Sequence, residues 1–188
     1  MNDNIVGSIE KNPVIAAVRN PEDIPSAVSS PVSCVFVLKT DIITAKYQTD
    51  EIKEKNKNVF IHMEFIEGLG RDNKAVDYAG KIIRPHGIIT TRTGHIKYAR
   101  ELGLFTILRV FMVDSQSFET AVKSLNSVNP DMIEIMPAIL PSVIRKFKSI
   151  TSIPIIAGGL VQTKEDVIEI LKAGALGVST GKKELWDL

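Results

Sequence analysis

Cysteine, aromatic residues and long apolar runs are all scarce in this sequence. Its 188 residues include one cysteine, Cys34, and only 6% are aromatic. A single thiol cannot form an internal disulfide, which favours a reducing compartment, and within an apolar run it is typical of a small buried side chain. No apolar stretch approaches the roughly 18 residues of a membrane span, and residues 1–12 lack the basic start of a signal peptide. We therefore expect a cytoplasmic protein that does not enter a membrane.

An excess of charge of either sign is also missing. Lys and Arg total 23 against 22 Asp and Glu, a net charge of +1. No global field then attracts the chain to polyanions or membranes, so any nucleic-acid contact requires a local basic patch. The three histidines, His62, His86 and His95, lack the spacing and the accompanying cysteines of a metal site. We expect neither a metal nor a cofactor.

Short apolar, β-branched runs recur along the chain at intervals of about 25 residues. Such near-continuous runs are typical of strands buried on both faces of a parallel sheet. There are eight: VIAAV from Val14, CVFVL from Cys34, VFIHM from Val59, GIITT from Gly87, FTILRVFMV from Phe105, MIEIM from Met132, IPIIA from Ile153 and ALGVST from Ala175.

Segments with helical spacing lie between these runs. Apolar residues fall on one helical face after Asp72, Asp114 and Thr163, and Gly103 and Gly174 stand where helices would end. Eight strands alternating with about eight helices predict an α/β protein, a single compact (β/α)₈ TIM barrel with short loops. A doubly wound open sheet is the alternative. The length is short for such a barrel, which typically has about 250 residues, so its loops and helices must be brief.

The domain prediction is one barrel domain over residues 1–188, because the chain can bury one substantial core and no linker interrupts the repeat. Residues 1–12 are a lead-in to the first strand. Within it, residues 4–11 form either a short helix over the N-terminal end of the barrel or an unstructured segment.

Glycines follow the seventh and eighth predicted strands. Ligands of (β/α)₈ barrels bind at the C-terminal ends of the strands, and a phosphate site commonly forms after strands seven and eight. A backbone without a Cβ lets N–H groups approach an anion closely, and a helical N-terminus after strand eight would add donors. A tight strand-to-helix turn would also require glycine. The predicted phosphate-binding residues are Gly158, Gly159, Leu160, Ser179, Thr180 and Gly181.

Polar residues interrupt or close several apolar strands. Glu134 lies within MIEIM and Arg109 within TILRV, and a buried charge there requires a partner or a ligand. The two form either an internal salt bridge between strands five and six or part of a ligand pocket. Glu64 follows His62 on the same pleat face, as a candidate hydroxyl ligand. His62 is interpreted as a core histidine.

Cationic residues stand at the predicted mouth of the barrel. Arg19 is a candidate pocket residue, and Arg92 is a candidate second phosphate clamp because a guanidinium binds oxyanions bidentately. The alternative for Arg92 is a solvated residue at a helix start. Lys39 also lies at a strand end.

The motifs together resemble the glycerol-3-phosphate-responsive antiterminator family. The resemblance covers Pro13 to Trp186 and rests on VIAAVRN, HMEFIEGLG, GIITTRTGHI, LRVFMVDSQSFETAV, PDMIEIMPAILP, IPIIAGGLVQTKEDV and GALGVSTGKKELW. It implies a TIM-barrel regulator of glycerol uptake that binds glycerol 3-phosphate and then the leader mRNA of its target operon, preventing premature termination.

Two other functions remain open at the level of sequence. One is a phosphosugar enzyme, an aldolase or isomerase with Lys39 as Schiff-base amine and Glu64 or Glu134 as proton-transfer group. The other is a phosphate-binding homologue without either role. The sequence contains no RNA-recognition motif and no aromatic platform. RNA specificity would then come from shape or from a homo-oligomer.

Overall fold

The computed structural model describes residues 2–188, excluding the side chains of Asn2 and Asp3. Eight parallel strands form a closed barrel in which each strand pairs with its neighbours in the chain and the last pairs with the first. The open-sheet alternative is therefore excluded. The strands are β1 (Val14–Val18), β2 (Cys34–Val37), β3 (Asn58–His62), β4 (Gly87–Thr90), β5 (Phe105–Phe111), β6 (Met132–Met136), β7 (Ile155–Gly158) and β8 (Gly177–Thr180).

Helices cover the outside of the barrel, as the spacing of apolar residues predicts. Asp72, Asp114 and Thr163 each cap the helix that follows, by accepting a backbone N–H bond on the side chain. The helices are α1 (Asn2–Lys11), α2 (Ile24–Ser29), α3 (Ala45–Glu54), α4 (Asn73–Tyr78), α5 (Thr93–Glu101), α6 (Ser115–Val128), α7 (Pro141–Ile150) and α8 (Lys164–Lys172). A 3₁₀ turn, Pro21–Asp23, precedes α2, and α4 continues as a π-helical turn, Ala79–Ile83.

The strands read as continuous apolar runs because both of their faces are buried. Outward-facing residues pack under the helices, whereas inward-facing residues fill the barrel itself. Phe36, Phe60 and Phe105 form the centre of the inner core, where successive rings meet edge to face with centroids 5.6 Å apart. Because side chains fill the interior of the barrel, a ligand can bind only at one of its ends.

Helix α1 closes the N-terminal end of the barrel. Its Ile5 and Ile9 are buried in the same cluster as Ile15 of β1. Of the two alternatives for residues 4–11, the helix over the barrel end is therefore confirmed. Met1, the first residue of the predicted lead-in, lies outside the described residues.

Short connections explain how 188 residues complete the barrel. Only Thr91 and Arg92 separate β4 from α5. After β8, a single 3₁₀ turn, Lys183–Leu185, stands where a full helix would follow in a longer barrel. Two short strands outside the barrel, Thr40–Asp41 and Ile66–Glu67, pair with each other in the loops after β2 and β3.

None of the helices within residues 2–188 combines the length and apolarity needed to cross a membrane.

Candidate functional site

A cavity of about 380 Å³ opens at the C-terminal end of the barrel. It lies against the loops after β7 and β8 and extends down to side chains of β1, β5 and β6. Eight of the predicted site residues line it, namely Arg19, Arg109, Glu134, Gly159, Leu160, Ser179, Thr180 and Gly181, together with Ala17, Leu38, Met136, Val161, Gln162 and Lys182. Gly158, Glu64 and Arg92 do not.

The loop after β7 has an unusual backbone. Gly159 and Leu160 both have positive φ angles, 82° and 63°. This left-handed conformation is ordinary for glycine and uncommon for leucine, and the Leu160 side chain is 63% exposed. A Cβ added at Gly159 would also lie 2.9 Å from the methyl group of Met136. Position 159 therefore favours glycine for its conformation, whereas the Met136 methyl group lies at the end of a flexible side chain and could move aside.

Gly158 lies against the hydrogen-bonded side chains of neighbouring strands. A Cβ at this position would lie 2.1 Å from the Ser179 hydroxyl oxygen and 2.8 Å from Glu134 Oε1. The absence of a side chain at Gly158 makes room for the hydrogen bond between these two residues. Gly158 thus shapes the floor of the cavity from below.

In the loop after β8, the side chain and carbonyl of Thr180 are engaged within the protein. Its hydroxyl donates to the Val161 carbonyl at 3.3 Å and accepts from the Lys182 N–H at 3.0 Å. Its carbonyl accepts from Trp186 Nε1 at 2.8 Å. Thr180 therefore holds the two glycine loops and Trp186 together, and the exposed part of this loop is at Gly181 and Lys182.

The helical segment expected after β8 is present only as a short 3₁₀ turn. The segment is the single turn Lys183–Leu185, which is too short to carry a substantial helix dipole. Helix α8, after β7, is a full helix, but Asp166 accepts the N–H groups of Gln162 and Thr163, both at 2.9 Å. Its N-terminus is thus capped by its own carboxylate.

Arg109 and Glu134 form the floor of the cavity as an internal pair. Arg109 Nε donates to Glu134 Oε2 at 2.6 Å, and the Ser179 hydroxyl donates to Oε1 at 2.6 Å. Both members of the charged pair are almost fully buried. Of the two alternatives from the sequence, the salt bridge is present, and it also lines the pocket. Each oxygen of Glu134 has a partner, as a buried carboxylate requires.

The charges that line the cavity are mostly positive. Arg19, Arg109 and Lys182 contribute three cationic groups, and Glu134 contributes one carboxylate. Glu134 is paired with Arg109, and Lys182 Nζ lies 3.7 Å from Glu184 at the surface. Arg19 and Lys182 are the cationic groups at the mouth of the cavity. Lys182 was not among the site residues predicted from the sequence, although it directly follows Gly181. This electrostatic balance favours an anionic ligand.

Glu64 and Arg92 lie away from this cavity. Glu64 belongs to a 3₁₀ turn, Met63–Phe65, and its Oε1 accepts from the Thr90 hydroxyl and from the Thr91 N–H at 3.3 Å. Arg92 Nε lies 3.9 Å from the same oxygen. Arg92 is therefore positioned beside Glu64 at the rim, and the structure does not bring it to the glycine loops.

His62, interpreted from the sequence as a core histidine, is 2% exposed at the end of β3. The Phe65 ring stacks on it with centroids 4.7 Å apart. Burial, aided by the positive charge of Arg109, lowers the pKa of His62 to about 3. The imidazole is therefore neutral at physiological pH.

Lys39 and Cys34 do not form reactive sites. Lys39 Nζ lies 3.2 Å from Glu67, and both side chains are largely exposed. Cys34 is buried inside the barrel, where burial and the charge of Glu134 raise the pKa of its thiol. Within residues 2–188, no group of three or more His, Cys, Asp or Glu side chains is arranged to hold a metal ion.

The fold and the cavity define a (β/α)₈-barrel protein with a cavity at the C-terminal ends of its strands that carries cationic side chains. The chain belongs to the family described as glycerol-3-phosphate responsive antiterminator, which it matches over residues 14–186. It is 35% identical to the uncharacterized protein YgcP of Escherichia coli (strain K12) over 180 residues, which cover 96% of this chain and 94% of that protein.

Solved structures agree with this assignment. The glycerol uptake operon antiterminator regulatory protein of Listeria monocytogenes superposes with a TM-score of 0.91 at 32% identity, covering 94% of this chain and 95% of that one. A glycerol uptake operon antiterminator-related protein of Thermotoga maritima gives 0.84 at 32% identity, covering 93% and 98%. An orotidine 5′-phosphate decarboxylase of Pyrococcus horikoshii, at 17% identity and a TM-score of 0.70 over 93% and 91% of the two chains, shares the fold.

Proposed function

We propose that this chain is a glycerol-3-phosphate-responsive transcription antiterminator. Glycerol 3-phosphate binds in the cavity at the C-terminal end of the barrel, and the liganded protein binds the leader mRNA of glycerol-uptake genes and prevents premature termination. The observation that carries the proposal is the single cationic cavity that joins the glycine loops after β7 and β8, in a chain of the antiterminator family.

The phosphate group lies between the two loops. Gly159 and Gly181 present backbone without a side chain to the cavity, which permits close approach of phosphate oxygens. Arg19 and Lys182 supply the compensating positive charge. Because Asp166 already caps α8, the loops themselves, rather than that helix terminus, carry the phosphate.

The glycerol group points from the phosphate towards the floor of the cavity. The volume of about 380 Å³ lies in the usual range for small-ligand sites, roughly 300–1,000 Å³. At this floor, Arg109 and Glu134 are already bonded to each other, so they form a polar surface with a fixed geometry. A small phosphorylated polyol matches a cavity with a cationic mouth and a polar floor.

A regulatory role is favoured over an enzymatic one by the surroundings of the candidate catalytic groups. Lys39 stands in an exposed ion pair instead of an apolar pocket that would make it a Schiff-base nucleophile. Glu134 accepts hydrogen bonds on both oxygens, which leaves it poorly placed as a general base. We therefore propose that the ligand acts as an effector that binds one functional state better than another.

Calorimetric titration of glycerol 3-phosphate, followed by a gel shift on a leader transcript with and without it, tests this function. We expect saturable binding of glycerol 3-phosphate and a ligand-dependent shift of the leader transcript, with no shift of a transcript of equal length and shuffled sequence. Equal retardation of both transcripts would show charge-driven binding without recognition, and absence of ligand binding would remove the effector from the proposal.

A further inference from the structure

Unpaired polar atoms cluster at one place near the mouth of the barrel. Among the described side chains, four buried nitrogen or oxygen atoms have no hydrogen-bond partner, and three of them belong to His62 and Glu64. They are both ring nitrogens of His62 and Oε2 of Glu64; the fourth is Thr49 Oγ1. Buried polar groups are nearly always paired in folded proteins, because an unpaired one costs free energy. Three in a single contact therefore indicate a binding function.

The two side chains are close together and held in place. His62 Nδ1 lies 3.4 Å from Glu64 Oε2, without the geometry of a hydrogen bond. The other oxygen of Glu64 is fixed by the Thr90 hydroxyl and the Thr91 N–H. The carboxylate is thus anchored on one side, while the opposite oxygen and the imidazole remain available.

Neither His62 nor Glu64 lines the cavity described above, but His62 lies near the floor of that cavity. His62 follows the inward-facing Phe60 by two residues and so faces the barrel interior. Its pKa is lowered in part by the positive charge of Arg109, a residue of the cavity floor. The ring of Phe65, 56% exposed, stacks on His62 and covers it. Movement of this one surface side chain would uncover the ring of His62.

The chemistry of the pair selects hydroxyl groups. A neutral imidazole offers one donor and one acceptor, and the free Glu64 oxygen only accepts. Hydroxyls both donate and accept, so they match this combination, whereas a second anionic group would be repelled by Glu64. We propose that His62 and Glu64 form the subsite that binds the hydroxyl groups of the phosphorylated ligand, with Phe65 closing over it. This inference rests on the proposed function and specifies which side chains read the polyol part of the effector.

Calorimetry with two probes tests the subsite in the intact protein. Glycerol 3-phosphate carries two hydroxyls, and propyl phosphate has the same chain length with none. We expect the wild type to prefer glycerol 3-phosphate by about tenfold or more, since each neutral hydrogen bond is worth roughly a factor of two to ten in affinity. In His62→Phe this preference falls to about twofold or less, and the affinity for propyl phosphate stays within a factor of two.

Stability measurements separate binding from a structural role. Because phenylalanine removes two unpaired polar atoms, we expect unliganded His62→Phe to melt no lower than the wild type. His95→Phe is the matched control, since His95 is buried and contacts Thr90 Oγ1 at 3.4 Å and the Arg71 carbonyl at 3.1 Å. We expect this control to melt lower with an unchanged preference.

Glu64→Gln is the second variant, for use if His62→Phe does not fold. Its amide oxygen can still accept from Thr90, while an amide nitrogen in place of Oε2 cannot accept from a ligand hydroxyl. We expect it also to lose most of the preference for glycerol 3-phosphate.

Undiminished preference in either folded variant overturns the subsite. If the wild type binds both probes equally, and Gly181→Val weakens both, the phosphate site stands and only the hydroxyl subsite is wrong. If the wild type binds neither probe, the proposed function fails together with the subsite.

Discussion

Arg109 and Glu134 face each other in register on adjacent strands of the barrel, with Nε 2.6 Å from Oε2 and both side chains nearly inaccessible to solvent. Removal of one member leaves the other charged and unpaired in a low-dielectric interior. The pair therefore links the stability of the barrel to the floor of the cavity proposed to bind the effector.

Glu134→Gln is expected to destabilise the protein by about 3 kcal/mol or more, because Arg109 loses its counter-charge. Denaturant unfolding measures the change. The double variant Arg109→Met, Glu134→Leu serves as the control and should lose less stability than Glu134→Gln, since no buried charge remains. A loss below about 1 kcal/mol in Glu134→Gln would show that the pair is not structurally important.

Glu134→Gln also distinguishes a structural role of Glu134, as the partner of Arg109, from a role as a direct ligand of the effector. Since both of its oxygens are already occupied, we expect stability to fall more than glycerol 3-phosphate affinity. If affinity is lost while the unfolding midpoint hardly changes, Glu134 is a direct ligand of the effector.

Gly181→Val is expected to leave the barrel folded and to weaken glycerol 3-phosphate at least about tenfold, because a side chain blocks the approach of the phosphate to the backbone. A Cβ here meets only the Ala17 carbonyl, at 3.4 Å. Gly94→Val, on α5 with open space around it, is the matched control and should bind normally. Equal affinity of Gly181→Val and the control would place the phosphate elsewhere.

Gly159→Val is expected both to abolish binding and to lower stability. Its φ of +82° is strained for valine, and the Met136 methyl group would have to move to make room for the added side chain. We expect a loss of at least about 1–3 kcal/mol in unfolding free energy. Calorimetry and thermal unfolding, carried out on the same sample, check both effects, and a variant as stable as the wild type would show that this loop readily changes conformation.

Trp186 is expected to report ligand binding. It is the one tryptophan of the chain, it is 2% exposed, and its Nε1 donates to the carbonyl of Thr180 in the loop after β8. A phosphate between the glycine loops should change the environment of the indole, and therefore its fluorescence. Trp186→Phe is the control, because it removes the one tryptophan and with it the fluorescence signal. A spectrum that stays constant while calorimetry shows saturation would mean that binding does not reach this loop.

His62 is expected to make stability depend on pH. Its pKa is about 3 in the folded state against an ordinary value of about 6.5, so the unfolded chain takes up a proton first. The contribution of neutral, buried His62 to the free energy of unfolding is complete above about pH 6.5. It declines as the pH falls from 6.5 towards 3. Between pH 6.5 and 5 we expect a loss of about 2 kcal/mol from this residue.

Comparison with His62→Phe isolates this contribution. Burial also lowers the pKa of His86, so that residue adds to the same dependence in both proteins. The difference between wild type and variant, from denaturant unfolding at several pH values, belongs to His62. Parallel pH profiles would show that folding does not change the pKa of His62.

Glycerol 3-phosphate is expected to be recovered intact after long incubation, because Lys39 lies in an exposed ion pair and both oxygens of Glu134 accept hydrogen bonds. Phosphorus NMR of the recovered ligand is the measurement. Conversion that survives Lys39→Ala but not Glu64→Gln would instead identify a carboxylate-based enzyme.

The order and type of the strands followed from the sequence alone. Strands buried on both faces must be apolar throughout, so each of the eight runs was visible without its neighbours. Helix starts were equally local, because Asp72, Asp114 and Thr163 cap their helices through bonds to residues close by in the chain. The glycines after the seventh and eighth strands also predicted the positions of two loops, because the conformational freedom of glycine is a local property.

The arrangement of the site depended on contacts between distant residues. Gly158 had the sequence context of an anion-binding glycine, yet its missing side chain is required by Ser179 and Glu134 on other strands. Arg92 had the chemistry of a phosphate clamp, but it lies beside Glu64, away from the glycine loops. The spacing of residues along the chain predicts neither the neighbours of Gly158 nor the position of Arg92.

The sequence by itself determined the barrel, the eight strand positions and the two loops around the ligand cavity, because these depend on local burial pattern and on the conformational freedom of glycine. Only the tertiary structure decided that Arg109, Glu134 and Ser179 form one hydrogen-bonded floor and that His62 and Glu64 keep unpaired polar atoms. The physical reason is that burial and hydrogen bonding between strands arise only when the sheet closes and brings together side chains far apart in the chain.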